Sequence, residues 1–222
     1  MCGIIGVIGH NKVSSLLIEG LKRLEYRGYD SAGIATLLNG KIDRRRSLGK
    51  IENLKKLLKK SPIKGNVGIG HTRWATHGIP SKTNAHPHSS GDVAVVHNGI
   101  IENYEVLRKG LEKKNFVFQS DTDTEVIAHL ISFFLKKNLS PLKATITALK
   151  KVEGAFALGI IFSGIDNYLI CAKRGSPLAI GKGKNCNYIG SDSIALAPLT
   201  QKLCYLNEGD IAEITSKDFR VF

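Results

Sequence analysis

Two hundred and twenty-two residues, 42% of them hydrophobic and 23% charged, suffice to bury about 70% of the unfolded chain's surface without disulfides or metal, which excludes a disordered, collagenous or coiled-coil chain. No apolar run approaches the roughly 20 residues that span a bilayer, and no basic segment precedes the apolar start, so the chain reads as soluble and cytoplasmic with no membrane partner. The net charge of +13 (32 Lys and Arg against 19 Asp and Glu) raises an affinity for nucleic acid or an acidic partner.

In chain order, residues 2 to 8 (Cys2-Gly3-Ile4-Ile5-Gly6-Val7-Ile8) are apolar on both faces, as a strand covered on both sides requires. Val13, Leu16, Leu17, Leu21 and Leu24 then recur at helical spacing. Strand patterns follow at 32 to 38, 41 to 48, 66 to 70, 93 to 97, 155 to 162, 167 to 172, 203 to 206 and 210 to 214, separated by Gly, Asn and Asp turn signals. Helical patterns fall at 52 to 60, 103 to 114, 123 to 137 and 141 to 151. Two consecutive helices before a block of strands favour α+β with largely antiparallel sheets over a doubly wound parallel sheet. Thr122 and Glu125 fit a capping box for the helix from 123. No repeat or linker interrupts the pattern, so one domain over 2 to 222 is expected.

The Lys doublets 55-56, 59-60, 113-114 and 136-137 lie near helix ends, where they complement the dipole and stay solvated. The run Arg44-Arg45-Arg46 has no aromatic residues interleaved to make a strand-binding platform. Nucleic acid is therefore not an expected partner, and a basic, non-catalytic binding module stands as the competing reading. Cysteines at 2, 171, 186 and 204 form no CxxC pair, and their spacing matches neither a zinc framework nor a disulfide scaffold. Cys171 reads as a small buried filler in a strand.

Cys2 has two readings: a small buried residue behind a retained Met, or a terminal thiol whose own α-amine accepts its proton once Met1 is removed. Acyl transfer needs oxyanion donors, and Asn98-Gly99 offers an amide side chain beside an approachable glycine N–H; the same dipeptide is also a common hairpin turn. Gly70-His71-Thr72-Arg73-Trp74-Ala75-Thr76-His77-Gly78 reads as a loop after a short strand. Arg73 could clamp a carboxylate there while Trp74 and Thr76 wall a small pocket, the alternative being a surface turn with Trp74 tucked into the core. Asp123 in the first turn of its helix serves the dipole and leaves a carboxylate able to meet an ammonium group. His86 and His88 lack a third ligand, so a structural or supporting role is expected, with no metal.

Together these segments resemble the glutaminase domain of the class II, N-terminal-nucleophile amidotransferases. The strings that carry the resemblance are Met1 to Gly6, Leu24 to Gly33, His71 to Gly78, Asn84 to His88, His97 to Asn103, Ser120 to His129 and Gly209 to Ile214, in family order. The Tyr26 to Gly33 and Arg73 to Gly78 stretches point to the branch that aminates fructose 6-phosphate to glucosamine 6-phosphate. The resemblance implies a four-layer αββα sandwich and hydrolysis of L-glutamine to glutamate and ammonia through a γ-glutamyl thioester on Cys2. Asn98 and Gly99 would form the oxyanion hole. Arg73 would bind the α-carboxylate with help from Thr76 and His77, Asp123 would bind the α-ammonium, Trp74 would close the site, and Arg27 would help hold the nucleophile end. No cofactor is implied. In that branch a sugar isomerase domain, absent from this chain, follows the glutaminase half and receives the ammonia, and the full enzyme is a homo-oligomer. A glutaminase serving another acceptor domain is the remaining alternative.

Overall fold

Strands that are apolar on both faces need a cover on each side, and here the two covers are a second sheet and a layer of helices. The computed structural model describes residues 2–222. Its first sheet orders β11 (Lys202–Tyr205), β9 (Ala179–Lys182), β10 (Asn187–Gly190), β1 (Gly3–Ile8), β4 (Val67–Arg73), β2 (Ser31–Leu38) and β3 (Lys41–Leu48). The second orders β13 (Phe219–Val221), β12 (Ile211–Ile214), β8 (Leu169–Arg174), β7 (Gly154–Phe162), β6 (Val93–Ile101) and β5 (His88–Ser90). Neighbouring strands pair antiparallel throughout both sheets. Helices α1 (Val13–Leu24), α2 (Ile51–Lys60) and α6 (Ser193–Leu196) cover the first sheet, and α3 (Tyr104–Glu112), α4 (Glu125–Leu135) and α5 (Pro141–Leu149) cover the second.

Alternation along each strand sorts side chains into three cores. In β1, Ile5 and Val7 pack under the helices, whereas Ile4 and Ile8 enter the space between the sheets. In β6, Val93 and Val95 face α4, and Ala94 and Val96 face the other sheet. Three cores between four layers make the αββα sandwich, as expected. Cys171 is fully buried in the inter-sheet core.

Several local expectations change. The helix expected from 123 begins at Glu125, and no capping box forms: its preceding residue Thr124 makes no side-chain cap. Glu125 instead accepts from the amides of Gln119 and Ser120 and from Ser120 Oγ, while Thr122 Oγ1 pairs with Ser120 Oγ and His88 Nε2. Asp123 thus lies in the turn before α4, not in its first turn. Asn98-Gly99 is no hairpin turn, because β6 runs through it to Ile101, with Asn98 opposite Ala157 and Gly99 opposite Phe156. Nor does the 70 to 78 segment begin as a loop. His71, Thr72 and Arg73 remain in β4, held between β1 and β2 by Gly3↔Thr72 and Ser31↔Arg73 pairing. The basic run of β3 is engaged internally: Arg44 donates to the Pro87 carbonyl, Arg46 to those of Thr83 and Ala85, and Arg45 to Ser61 and Asp43. No helix of the described residues is long and apolar enough to cross a membrane.

Candidate active site

The first sheet delivers Cys2 at the start of β1, and the second sheet delivers Asn98 and Gly99 near the end of β6. The two meet directly: Asn98 Nδ2 donates to the Cys2 carbonyl at 3.0 Å. Gly99 adopts φ +132°, and a Cβ there would sit 2.1 Å from the Ala155 carbonyl oxygen, so only glycine fits. Cys2 is half-buried. Burial pushes its thiol up from the ordinary value, and the Trp74 N–H, which donates to Sγ at 3.2 Å, opposes that rise. Met1 lies outside the described residues, so the expected removal of that residue does too.

Beyond β4 the chain turns sharply over residues 74 to 78. Two anchors hold this loop. Asp30 accepts from the Ala75 N–H and lies 3.7 Å from Arg73 Nη1, and Arg73 Nη2 donates to the carbonyls of His77 and Gly78. Gly28, in the turn following α1, lies so close that a Cβ would stand 2.9 Å from the Arg73 carbonyl. Arg73 is 3% exposed, and its Nη1 has no hydrogen-bond partner. Asp30 balances its charge from 3.7 Å without a hydrogen bond, which leaves the Nη1 hydrogens to meet a second, bound anion. Across the cleft, Asp123 is equally buried and accepts from the Ile101 N–H at 2.8 Å. Trp74 is 54% exposed on the rim, edge-on to Tyr29, which excludes the reading that tucks it into the core.

These side chains line two adjoining cavities. Arg73, His77 and Asp123 line a small polar recess of about 20 Å³. Arg27 and Asn98 line a wider mouth of about 440 Å³. Cys2, Trp74, Thr76 and Gly99 border both. The nine residues given catalytic or substrate-binding roles from the sequence therefore all line one or both of these cavities, whereas His88 and Cys171 line neither. The Arg27 guanidinium lines the mouth together with Cys2 and is paired with Asp192, which also accepts from Tyr26 Oη at 2.7 Å.

Around the recess stands a cluster of buried histidines: His86 and His88, for which the sequence suggests a structural or supporting role, and His71 and His97, to which it assigns none. His86 Nε2 and His97 Nδ1 both meet Thr124 Oγ1, at 2.8 and 2.9 Å. Burial lowers all four of His71, His86, His88 and His97, His71 and His88 to about 3, so the rings are neutral near pH 7. Among the described residues no group of three or more His, Cys, Asp or Glu side chains is placed to hold a metal ion. Asp30 and Asp192 also escaped the sequence reading. Asp192 is 165 residues from Arg27, a distance that no local pattern bridges.

Comparison with known proteins gives a consistent result. The chain is 53% identical over 222 residues to a glutamine–fructose-6-phosphate aminotransferase (isomerizing) of Mesorhizobium japonicum and 54% identical over 221 residues to one of Zymomonas mobilis. These matches take in all of this chain but only 37% and 36% of the relatives, so it spans little more than a third of their length. Among solved structures it resembles the glutamine phosphoribosylpyrophosphate amidotransferase of B. subtilis, with a TM-score of 0.85 and 27% identity over the whole chain and 49% of that protein. A class II glutamine aminotransferase domain protein from Silicibacter pomeroyi shares the fold at a TM-score of 0.69 and 14% identity, covering 98% of that protein. The sequence profile of the glutamine amidotransferase domain matches residues 71–198, more than half of the chain. The chain belongs to the glutamine amidotransferase domain family.

Proposed function

We propose that this chain hydrolyses the side-chain amide of L-glutamine to glutamate and ammonia, with Cys2 as nucleophile. The observation that supports it most is the convergence of a thiol, two candidate oxyanion donors, a buried cation and a buried anion on one cleft. A zwitterionic amino acid needs one fixed charge of each sign, and Arg73 and Asp123 supply them. Glutamine enters with its α-carboxylate on Arg73 Nη1, beside Thr76 and His77, and its α-ammonium on Asp123. Its side chain then reaches Cys2.

In this reading the α-amine of Cys2, freed by loss of Met1, takes the thiol proton as Sγ attacks the amide carbon. The developing oxyanion is met by Asn98 Nδ2 and the Gly99 N–H. Collapse breaks the C–N bond, the proton passes to the leaving nitrogen, and ammonia departs to leave a γ-glutamyl thioester. Water then cleaves the thioester, releasing glutamate and restoring the thiol. Trp74 shields the recess from the rim, and Arg27, held by Asp192, shapes the mouth.

The whole protein's activity extends this proposal: the ammonia aminates fructose 6-phosphate to glucosamine 6-phosphate in a sugar isomerase domain, within a cytoplasmic homo-oligomer. The glutaminase step is tested by Cys2→Ala, which removes the sulfur without filling space. The variant is expected to keep its melting temperature within a few degrees and to release no ammonia from glutamine. Retained ammonia release contradicts the proposal.

A further inference from the structure

His71 lies in the middle of the first sheet, fully buried in β4 between Ile4 of β1 and Gly33 of β2. Its Nε2 is 2.9 Å from the His97 carbonyl oxygen, which can only accept. Nε2 must therefore carry the ring proton. The same N–H is 3.1 Å from Asn98 Oδ1. Turning the Asn98 amide over would set its NH₂ against this N–H and its oxygen against the Cys2 carbonyl, which now accepts from Nδ2. Donor would face donor and acceptor would face acceptor, both in a buried site.

The opposite face of the ring points to the same tautomer. Nδ1 is buried with no partner, so a proton there would be an orphaned donor. The ring is also packed against His86, tilted by 32° with 4.0 Å between centroids, and His86 is itself tied to Thr124.

We infer that His71 is a positioning residue: its Nε2–H, anchored on the His97 carbonyl, holds the Asn98 amide with its nitrogen toward Cys2, so that the oxyanion donor is oriented before the reaction begins. This rests on the role given to Asn98 in the proposed glutaminase reaction. The benefit is preorganisation, since a donor already aimed at the developing charge has no reorientation to undergo in the transition state.

The test is a double-mutant cycle on glutamine hydrolysis with four proteins: wild type, His71→Phe, Asn98→Ala and the double variant. Phe keeps a ring against His86 and removes the N–H. His71→Phe is expected to lower kcat roughly 10- to 100-fold, within the range for loss of one oxyanion donor, with KM changed less than about twofold. In the Asn98→Ala background the same substitution is expected to cost nothing further. His71→Gln, whose amide nitrogen is as many bonds from Cβ as His Nε2, is expected to recover most of the lost rate. Alkylation of Cys2 by iodoacetamide should proceed equally in all variants. An equal loss in the Asn98→Ala background, or failure of His71→Gln to exceed His71→Phe, overturns the inference; should the Phe protein not fold, His71→Leu enters the same cycle. Wild type with a free Cys2 amine that releases no ammonia would instead overturn the glutaminase reading itself.

Discussion

Arg73 and Asp123 are each 3% exposed; Arg73 is balanced by Asp30 at 3.7 Å, while among the described residues no ion pair neutralises Asp123, so its charge favours a cation in the recess. Asp123 already accepts from the Ile101 N–H, and an asparagine oxygen can accept there as well. Asp123→Asn therefore removes a charge while keeping the backbone contact. A charge-assisted hydrogen bond is worth about 1.5–3 kcal/mol, so the substitution should raise KM for glutamine roughly 10- to 100-fold and affect kcat less. Steady-state kinetics check this, and an unchanged kcat/KM would remove Asp123 from the substrate contacts.

At the scale of elements, the cleft is a junction between strand ends. β1 and β4 bring Cys2 and Arg73 together, β6 brings Asn98 and Gly99, and the turn before α4 brings Asp123. The 74 to 78 loop lies outside regular structure, and Asp30, just before β2, ties it there through the Ala75 N–H and Arg73. Asp30→Ala should release that loop and raise KM about tenfold or more, with faster tryptic cleavage of the chain beyond Arg73. Unaltered KM and unaltered proteolysis would show that the loop holds its shape without Asp30.

Much of this architecture was legible in the sequence because its signals are local. Two-sided apolar runs such as Ile4 to Ile8 and Ala155 to Phe162 announce strands covered on both faces, and the α1 stripe announces a helix. What was not legible depends on partners distant in sequence. Glycines in β9 and β10 and the Asn187 start of β10 weaken any local strand signal, and Asn187-Tyr188-Ile189-Gly190 becomes a strand because β1 lies beside it in register. Asn98-Gly99 carries a turn signal that the β7 pairing overrides. The candidate residues were found by their chemistry and family order, whereas their supports Asp30, His71 and Asp192 act through contacts that no spacing encodes.

On the scale of the whole molecule, the buried histidines tie stability to pH. His71 and His88 fall to about 3 in the folded chain against about 6.5 unfolded, so the unfolded state binds more protons between those values. Their contribution is fully present above about pH 6.5 and is lost as pH falls toward 3, at about 1.4 kcal/mol per pH unit for each ring that stays neutral. Glu125 acts lower. Burial pushes its carboxyl up, but the contact with His129 Nε2 at 3.5 Å and the hydrogen bonds from Ser120 Oγ and the Gln119 and Ser120 amides outweigh burial and hold it at about 2. Its contribution is present above about 4.3 and is lost as pH falls toward 2. Urea unfolding midpoints should therefore decline steadily below pH 6.5, and a flat profile from 6.5 to 5 would mean that the histidines are not held neutral.

The central claim is that the terminal residue of the working protein is Cys2 and that its sulfur carries the substrate's acyl group. Mass spectrometry of acid-quenched protein during glutamine turnover tests both parts at once. A γ-glutamyl thioester on Cys2 gives an N-terminal peptide that begins at Cys2, a fraction of it heavier by glutamine less ammonia, with the added mass lost on treatment with hydroxylamine. An active protein whose N-terminal peptide still begins at Met1, or an acyl adduct found on a residue other than Cys2, would contradict it.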